Sequence, residues 1–255
     1  MKILAIVSAK GGVGKTTVAA NLSVALEQSG AATLMVDLDP QNALRFHLGA
    51  DELTGIEGLA RASLAGQDWR SICVQGVSGV HLLPFGALNE EDRLRLEQQM
   101  NADPKWLTRH LAALDLGPEA VVLVDTPPGP SAYLRQALEC ADLVLVVTLA
   151  DAASFATLPS IESLVAQYCE GRPGYLGHAY LVNQVDSAQA LAKDTAQVLR
   201  GALGNRVIGV VQRDVSVADA LAFGKTVIEH APYSQPSQDF ANGAAWVMQQ
   251  FGTGQ

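Results

Sequence analysis

Lys10-Gly11-Gly12-Val13-Gly14-Lys15-Thr16-Thr17 follows directly on the apolar run Ile3-Leu4-Ala5-Ile6-Val7. A strand, a glycine loop and a helix in that order build a cradle for phosphate. Glycines lack Cβ atoms, so successive backbone N–H groups from Gly11 to Gly14 can turn inward on anionic oxygens. A helix starting near Lys15 adds its positive end at the same spot. Lys15 can reach the β- and γ-phosphates, and the Thr16 hydroxyl can ligate Mg²⁺, with Thr17 closing the motif. The strict pattern asks for glycine at position 9, where this chain has Ala9, and a second lysine, Lys10, stands at the front of the loop. These residues predict a site for a nucleoside triphosphate.

From this loop outward, strand-like runs alternate with longer helical stretches. Candidate strands are Lys2–Ser8, Thr33–Asp37, His81–Pro84, Ala120–Asp125, Leu143–Leu149, Ala179–Val185 and Val207–Val211. Their hydrophobicity is continuous, as expected where helices cover both faces of a sheet. Thr16–Gln28, Leu158–Cys169, Leu191–Leu203 and Ser237–Phe251 read as helices. The alternating order predicts an α/β fold with a doubly wound, mostly parallel sheet, and ligands at the carboxyl ends of its strands. Residues 1–255 are expected to form a single domain. Its least regular part, about 49–116, is read as an insertion in which Asp92–Glu97 forms a charged, solvated helix.

Two strands end in acids. Val36-Asp37-Leu38-Asp39-Pro40-Gln41 closes the second, and Val124-Asp125-Thr126-Pro127-Pro128-Gly129 closes the fourth. Acids there project into the crevice of the phosphate loop. Asp39 and Asp125 can hold Mg²⁺ directly or through water, or orient a hydrolytic water. The alternative for both is a carboxylate that only caps a turn, and for Asp37 a supporting role is at least as good a reading. Gly129 offers a backbone N–H for close approach to a γ-phosphate.

Composition narrows the function classes. At 255 residues with 49% hydrophobic and 17% charged residues, the chain can bury a large core, which excludes a disordered chain. A net charge of −9 disfavours general affinity for nucleic acid or anionic lipid, and 5% aromatic residues give few base-stacking platforms. Arg200, Arg206, Arg213 and Lys225 are the C-terminal candidates for a local basic patch, with a solvated face as the alternative. Cys73, Cys140 and Cys169 show neither metal spacing nor a disulfide framework, which fits thiols in a reducing cytoplasm. Neither the short first apolar run nor Leu143–Ala150 is long enough for a secretory signal or a membrane span.

The loop with Lys10, the Asp37–Gln41 segment and the Asp125–Gly129 segment together resemble the ParA/MinD ATPases, whose Walker A motif is deviant. The stretch Gly209 to Ala220, followed by Gly224-Lys225-Thr226-Val227, is similar to that family's C-terminal signature. Leu181-Val182-Asn183 is similar to its adenine-contacting segment. Gln212 stands where many relatives carry proline, so base contacts by Gln212 and Arg213 stay open. The resemblance implies ATP and Mg²⁺, an ATP-sandwiched homodimer, Asn183 on the base, and Lys10 acting across the dimer on its partner's phosphates. GTP is the alternative, since Asn183-Gln184-Val185-Asp186 comes near a guanine-reading motif but has glutamine for lysine. Gly58–Arg70, Leu82–Gly86 and Trp106–Arg109 are similar to the BcsQ branch of bacterial cellulose secretion. Some members of that branch lack the loop lysine, whereas Lys10, Lys15 and Asp39 are all present here.

That branch implies a small BcsR-like partner, cellulose synthase subunits, and a cytoplasmic protein brought to the inner membrane or cell pole by partners. Direct membrane contact is not expected, because Gln249–Gln255 has no basic face. A DNA-partition ATPase and an ATP-bound scaffold without turnover are the competing functions.

Overall fold

The computed structural model describes residues 1–50 and 55–252. Positions 51–54 of the irregular segment and the last three residues of the C-terminal stretch lie outside the described residues. The strands are β1 (Lys2–Val7), β2 (Thr33–Asp37), β3 (Val74–Gln75), β4 (His81–Leu83), β5 (Val121–Asp125), β6 (Leu143–Leu149), β7 (Gly177–Val185) and β8 (Val207–Gln212). They form one sheet in the order β3-β4-β2-β5-β1-β6-β7-β8. All neighbours pair parallel except β3, which lies antiparallel on β4. The α/β, mostly parallel fold expected from the sequence is the one observed. At two residues, β3 is too short to show in a hydrophobic pattern.

The helices are α1 (Lys15–Gln28), α2 (Leu44–His47), α3 (Leu59–Leu64), α4 (Glu90–Ala102), α5 (Trp106–Ala113), α6 (Ala132–Cys140), α7 (Ala152–Cys169), α8 (Ala190–Leu203), α9 (Val215–Ala222), α10 (Val227–His230) and α11 (Gln235–Phe251). They cover both faces, which explains the continuous apolar strands. β1 sends Ile3, Ala5 and Val7 into one core, with Trp106 of α5, Tyr133 of α6 and Ile161 of α7. Leu4 and Ile6 enter the other, with Leu22 of α1 and Phe240 of α11. A Cβ on Gly243 of α11 would lie 3.1 Å from Leu22 Cδ2, so α11 packs closely on α1.

α7 departs furthest from its expected bounds, and α4 is longer than the charged stretch Asp92–Glu97. α7 starts six residues ahead of Leu158 and runs through Pro159. Proline in a helix interior removes a hydrogen bond. Here the Asp151 carboxylate caps the Ser154 N–H at 2.6 Å, and Leu158, Ile161 and Val165 are buried. α4 is charged as expected, with Arg93 paired to Glu90 and Glu97, but it also buries Leu96 and Met100. Among the described residues no helix is long and apolar enough to cross a membrane.

β1 lies between β5 and β6, so the chain reverses its winding direction beside β1. In open α/β sheets such a reversal leaves a crevice at the strands' carboxyl ends. The glycine loop emerges there, with Asp37 and Asp125 in register on the neighbouring β2 and β5.

Candidate functional site

The loop from Ser8 to Gly14 turns at Gly12 (φ 77°) and Gly14 (φ 80°), both in the left-handed region that favours glycine. Gly14 carries a second constraint: a Cβ there would come within 2.5 Å of Asn183 Nδ2. As the N-cap of α1, Gly14 supplies no side-chain hydrogen bond to the helix. The first N–H groups of α1 therefore carry their partial positive charge at the loop, where an anion is favoured.

Lys15 is only 6% exposed. Its Nζ lies 3.1 Å from Asp125 Oδ1 and also donates to the Thr126 carbonyl. The Thr16 hydroxyl donates to Asp125 Oδ2 at 2.7 Å. Asp125 is wholly buried and accepts a third bond from its neighbour's backbone, Thr126 N–H at 3.1 Å. Lysine, threonine and carboxylate thus meet at one point at the floor of the loop.

Asp37 pairs directly across from Asp125 and is equally buried. Burial, and then the charge of Asp125, push its carboxyl well above the usual carboxylate range. Its oxygens take the Asp39 N–H at 3.0 Å and the Leu44 N–H at 3.1 Å, pinning both ends of the turn that leads into α2. Asp39 itself accepts the Gln41 N–H at 2.9 Å, a turn-capping bond, while lining the phosphate-side cavity. Asp39 thus caps a turn and also faces the cavity.

That cavity, about 310 Å³, is lined by Lys10, Gly11, Gly12, Val13, Gly14, Lys15, Thr16 and Asp39, with Ser8, Gln41 and Pro128. Lys10 lies half-exposed at its front, 3.6 Å from Asp151 Oδ2 of the same chain. Gly129 lies just beyond the cavity lining. Its N–H donates to the Ser8 carbonyl at 3.2 Å, and Pro128 reaches the cavity in its place.

A second cavity, about 290 Å³, brings together Thr17, Asn183, Gln212 and Arg213. Asn183 donates to the Val13 carbonyl at 2.8 Å, so it braces the phosphate loop from the second cavity's side. Gln212 is anchored by its N–H to Asp239 Oδ2 at 2.9 Å, and Arg213 by its N–H to the Val185 carbonyl at 3.0 Å. Sequence reasoning missed Gln184, Asp214, Val217 and Leu221, which also line this space. The four-residue spacing of Val217 and Leu221 on one helix face was the available signal. Asp151 was missed as well, since nothing local marks a helix cap as a lysine's partner.

Thr16 and Asp125 offer hard oxygen donors 2.7 Å apart. No cluster of three metal-ligating side chains exists among the described residues. This donor set fits Mg²⁺, which keeps several waters and uses one or two protein oxygens together with phosphates.

A family profile described as Cellulose biosynthesis protein BcsQ matches residues 1–248. The chain belongs to the BcsQ family. This BcsQ-family chain is 28% identical to the cellulose biosynthesis protein BcsQ of Escherichia coli K12 over 256 residues, covering 97% of the chain and 94% of that protein. It is 34% identical over 252 residues to the chromosome-partitioning ATPase Soj of Thermus thermophilus, covering 96% and 94%. It is therefore a member of the wider ParA/MinD group. Among solved structures, the septum site-determining protein MinD of Pyrococcus horikoshii, complexed with Mg-ADP, superposes with a TM-score of 0.80 at 24% identity, covering 100% and 98%. Cobyrinic acid a,c-diamide synthase of Mycobacterium smegmatis, with an ATP analogue and magnesium, gives 0.80 at 22%, covering 100% and 97%. These two likenesses concern the fold.

Proposed function

We propose that this BcsQ-family chain is a slow ATPase that binds ATP with Mg²⁺ and works as a dimerising switch for the bacterial cellulose synthase and secretion machinery. The observation that carries the reading is the meeting of Lys15 and Thr16 on buried Asp125 under an uncapped helix N-terminus, with Lys10 at the mouth. In this reading the backbone N–H groups from Gly11 to Lys15, with Thr17, cradle the phosphates. Lys15 moves from Asp125 to the β- and γ-phosphates. Thr16 and Asp125, assisted by Asp39, would hold Mg²⁺, which when bound would supply positive charge against the phosphates. Asp39 also orients the attacking water, and Gly129 approaches the γ-phosphate once its bond to Ser8 opens. Asn183, Gln212 and Arg213 receive the base, with adenine preferred over guanine.

Lys10 leaves Asp151 to reach the phosphates of a second copy, as a cationic finger supplied in trans. Two copies clasping the nucleotide would part once the γ-phosphate leaves, which makes hydrolysis a population shift. The whole chain acts as one P-loop unit, in the cytoplasm, with membrane contact made through partners. A small BcsR-like protein and cellulose synthase subunits are the partners that family membership suggests.

Phosphate release from the parent chain, Asp39→Ala and Lys10→Ala tests this reading. Release above both variants, together with ATP-dependent dimers in solution, is expected; equal rates in all three would leave a scaffold that binds ATP without consuming it. A second reading, a partition ATPase, is favoured by the 34% identity to Soj. It predicts a salt-sensitive, ATP-dependent shift of arbitrary duplex DNA, which the net charge of −9 argues against.

A further inference from the structure

Strand β7 breaks its own alternation beside the phosphate loop. Its pairing with β8 passes from Val182 opposite Val210 to Val185 opposite Gln212, so three steps along β7 match two along β8. An extra residue of this kind is a β-bulge, a device that re-aims side chains and recurs next to active sites. Inside it Gln184 has φ 56°, in the left-handed region that a residue with a Cβ enters at a cost.

Consecutive strand residues ordinarily point to opposite faces. Here two in a row turn to one glycine. A Cβ on Gly14 would lie 2.5 Å from Asn183 Nδ2 and 3.2 Å from Gln184 Nε2. The two amides differ in what they do there. Asn183 is buried and donates to the Val13 carbonyl at 2.8 Å. Gln184 is exposed, and its side-chain amide has no hydrogen-bond partner among the described residues. A strained residue whose side chain makes no internal bond points to function rather than packing. Gln184 lines the second cavity with Thr17, Gln212 and Arg213, whereas Gly14 lines the phosphate-side cavity. Its amide therefore stands between a wall of one cavity and a wall of the other.

We infer that Gln184 is a further nucleotide-binding residue, whose amide N–H donates to the ribose and α-phosphate of the bound nucleotide. With the phosphates in the first cavity and the base in the second, that part of the ligand passes beside Gly14. A neutral N–H donor serves a ribose oxygen or a phosphate oxygen equally. The bulge is what brings it there, since an unbroken strand would turn Gln184 away from the loop that Asn183 braces. This role rests on the nucleotide site proposed above and adds to it a residue with no charge and no part in the chemistry.

The test compares the parent, Gln184→Gly and Gln184→Lys. It uses thermal melting without nucleotide and equilibrium binding of ATP and ADP with Mg²⁺, with GTP as a competitor. Glycine takes up the left-handed turn without steric cost, so Gln184→Gly should melt no lower than the parent. Its affinity for ATP, ADP and GTP should nevertheless fall by about three- to tenfold, the worth of one hydrogen bond. The factor should be the same for all three, because ribose and α-phosphate are common to them. Gln184→Lys keeps an N–H donor on a long side chain and should bind at least as tightly as the parent. A glycine variant that melts early would make Gln184 a brace for the loop and overturn the inference. Unchanged binding in that variant, a loss confined to ATP or to the adenine nucleotides, or a lysine variant as weak as the glycine one would overturn it too. In each of those cases the parent still binds ATP and the proposed ATPase stands; a parent that binds neither ATP nor ADP sinks both.

Discussion

Three donors converge on buried Asp125, and two rings, Trp69 and His110, converge on Trp106. The first cluster consists of the Lys15 ammonium, the Thr16 hydroxyl and the Thr126 N–H around one carboxylate. In the second, Trp69 stacks on His110 at 4.4 Å, and Trp106 meets both edge-on, at 5.5 Å and 4.7 Å. Asp125 and Lys15 are buried, as are Trp69 and Trp106, but for different ends. A buried charge pair costs desolvation that its mutual attraction only partly offsets, so it is weak evidence for stability. Buried aromatic rings contribute area and packing directly. The phosphate-loop end of the sheet thus holds charge that is costly to bury, while the segment around α3, α4 and α5 holds itself together by packed rings.

This contrast can be broken by experiment. The largest effect expected is on turnover. Lys10→Ala should lower phosphate release by about 10³–10⁵-fold, as loss of an analogous cationic finger does. Because Lys10 is half-exposed, unfolding free energy should stay within about 1 kcal/mol of the parent. A large drop in chemical-denaturation midpoint for this variant would erase the division. Trp106→Ala should cost about 3–5 kcal/mol of stability while leaving the affinity for an ATP analogue unchanged. Weakened nucleotide binding in a folded Trp106→Ala protein would show that the two regions are coupled.

His47 tests the boundary between them, since it is buried at the end of α2, just beyond the turn that Asp37 pins. Burial lowers its pKa from 6.5 to about 4. The unfolded chain therefore binds the extra proton first, and this contribution, whole above about pH 6.5, is lost as pH falls toward 4. The loss amounts to about 3 kcal/mol at most. Denaturation of the parent and His47→Gln at pH 7 and pH 5 should show a steeper decline in the parent, and parallel declines would refute the assignment. The smallest effect belongs to Arg93→Ala on α4. Its paired carboxylates Glu90 and Glu97 lie on a partly exposed helix face, so the cost should be under about 1 kcal/mol by thermal melting.

How much of this was legible in advance follows from range. Seven of the eight strands and the phosphate loop announce themselves in consecutive residues, because continuous apolar runs and glycine spacing are local properties. α7 begins six residues before the expected Leu158, capped by Asp151 and running through Pro159. Asn183, expected on a base, lines the second cavity, and its amide also braces the Val13 carbonyl, a contact 170 residues away in the chain that no local pattern shows. Gly129, expected to offer its N–H to a γ-phosphate, donates it to the Ser8 carbonyl, another contact between distant segments.

By itself the sequence determined the α/β order, the anion-binding loop and the acids at two strand ends, since each depends on backbone freedom or periodicity within a few residues. Only the tertiary structure decided that Lys15 and Thr16 share Asp125, that Lys10 leans on Asp151, and that Gln184 meets Gly14. Those are contacts between segments far apart in the chain, fixed by how β1, β5 and β6 lie side by side and how the helices close over them.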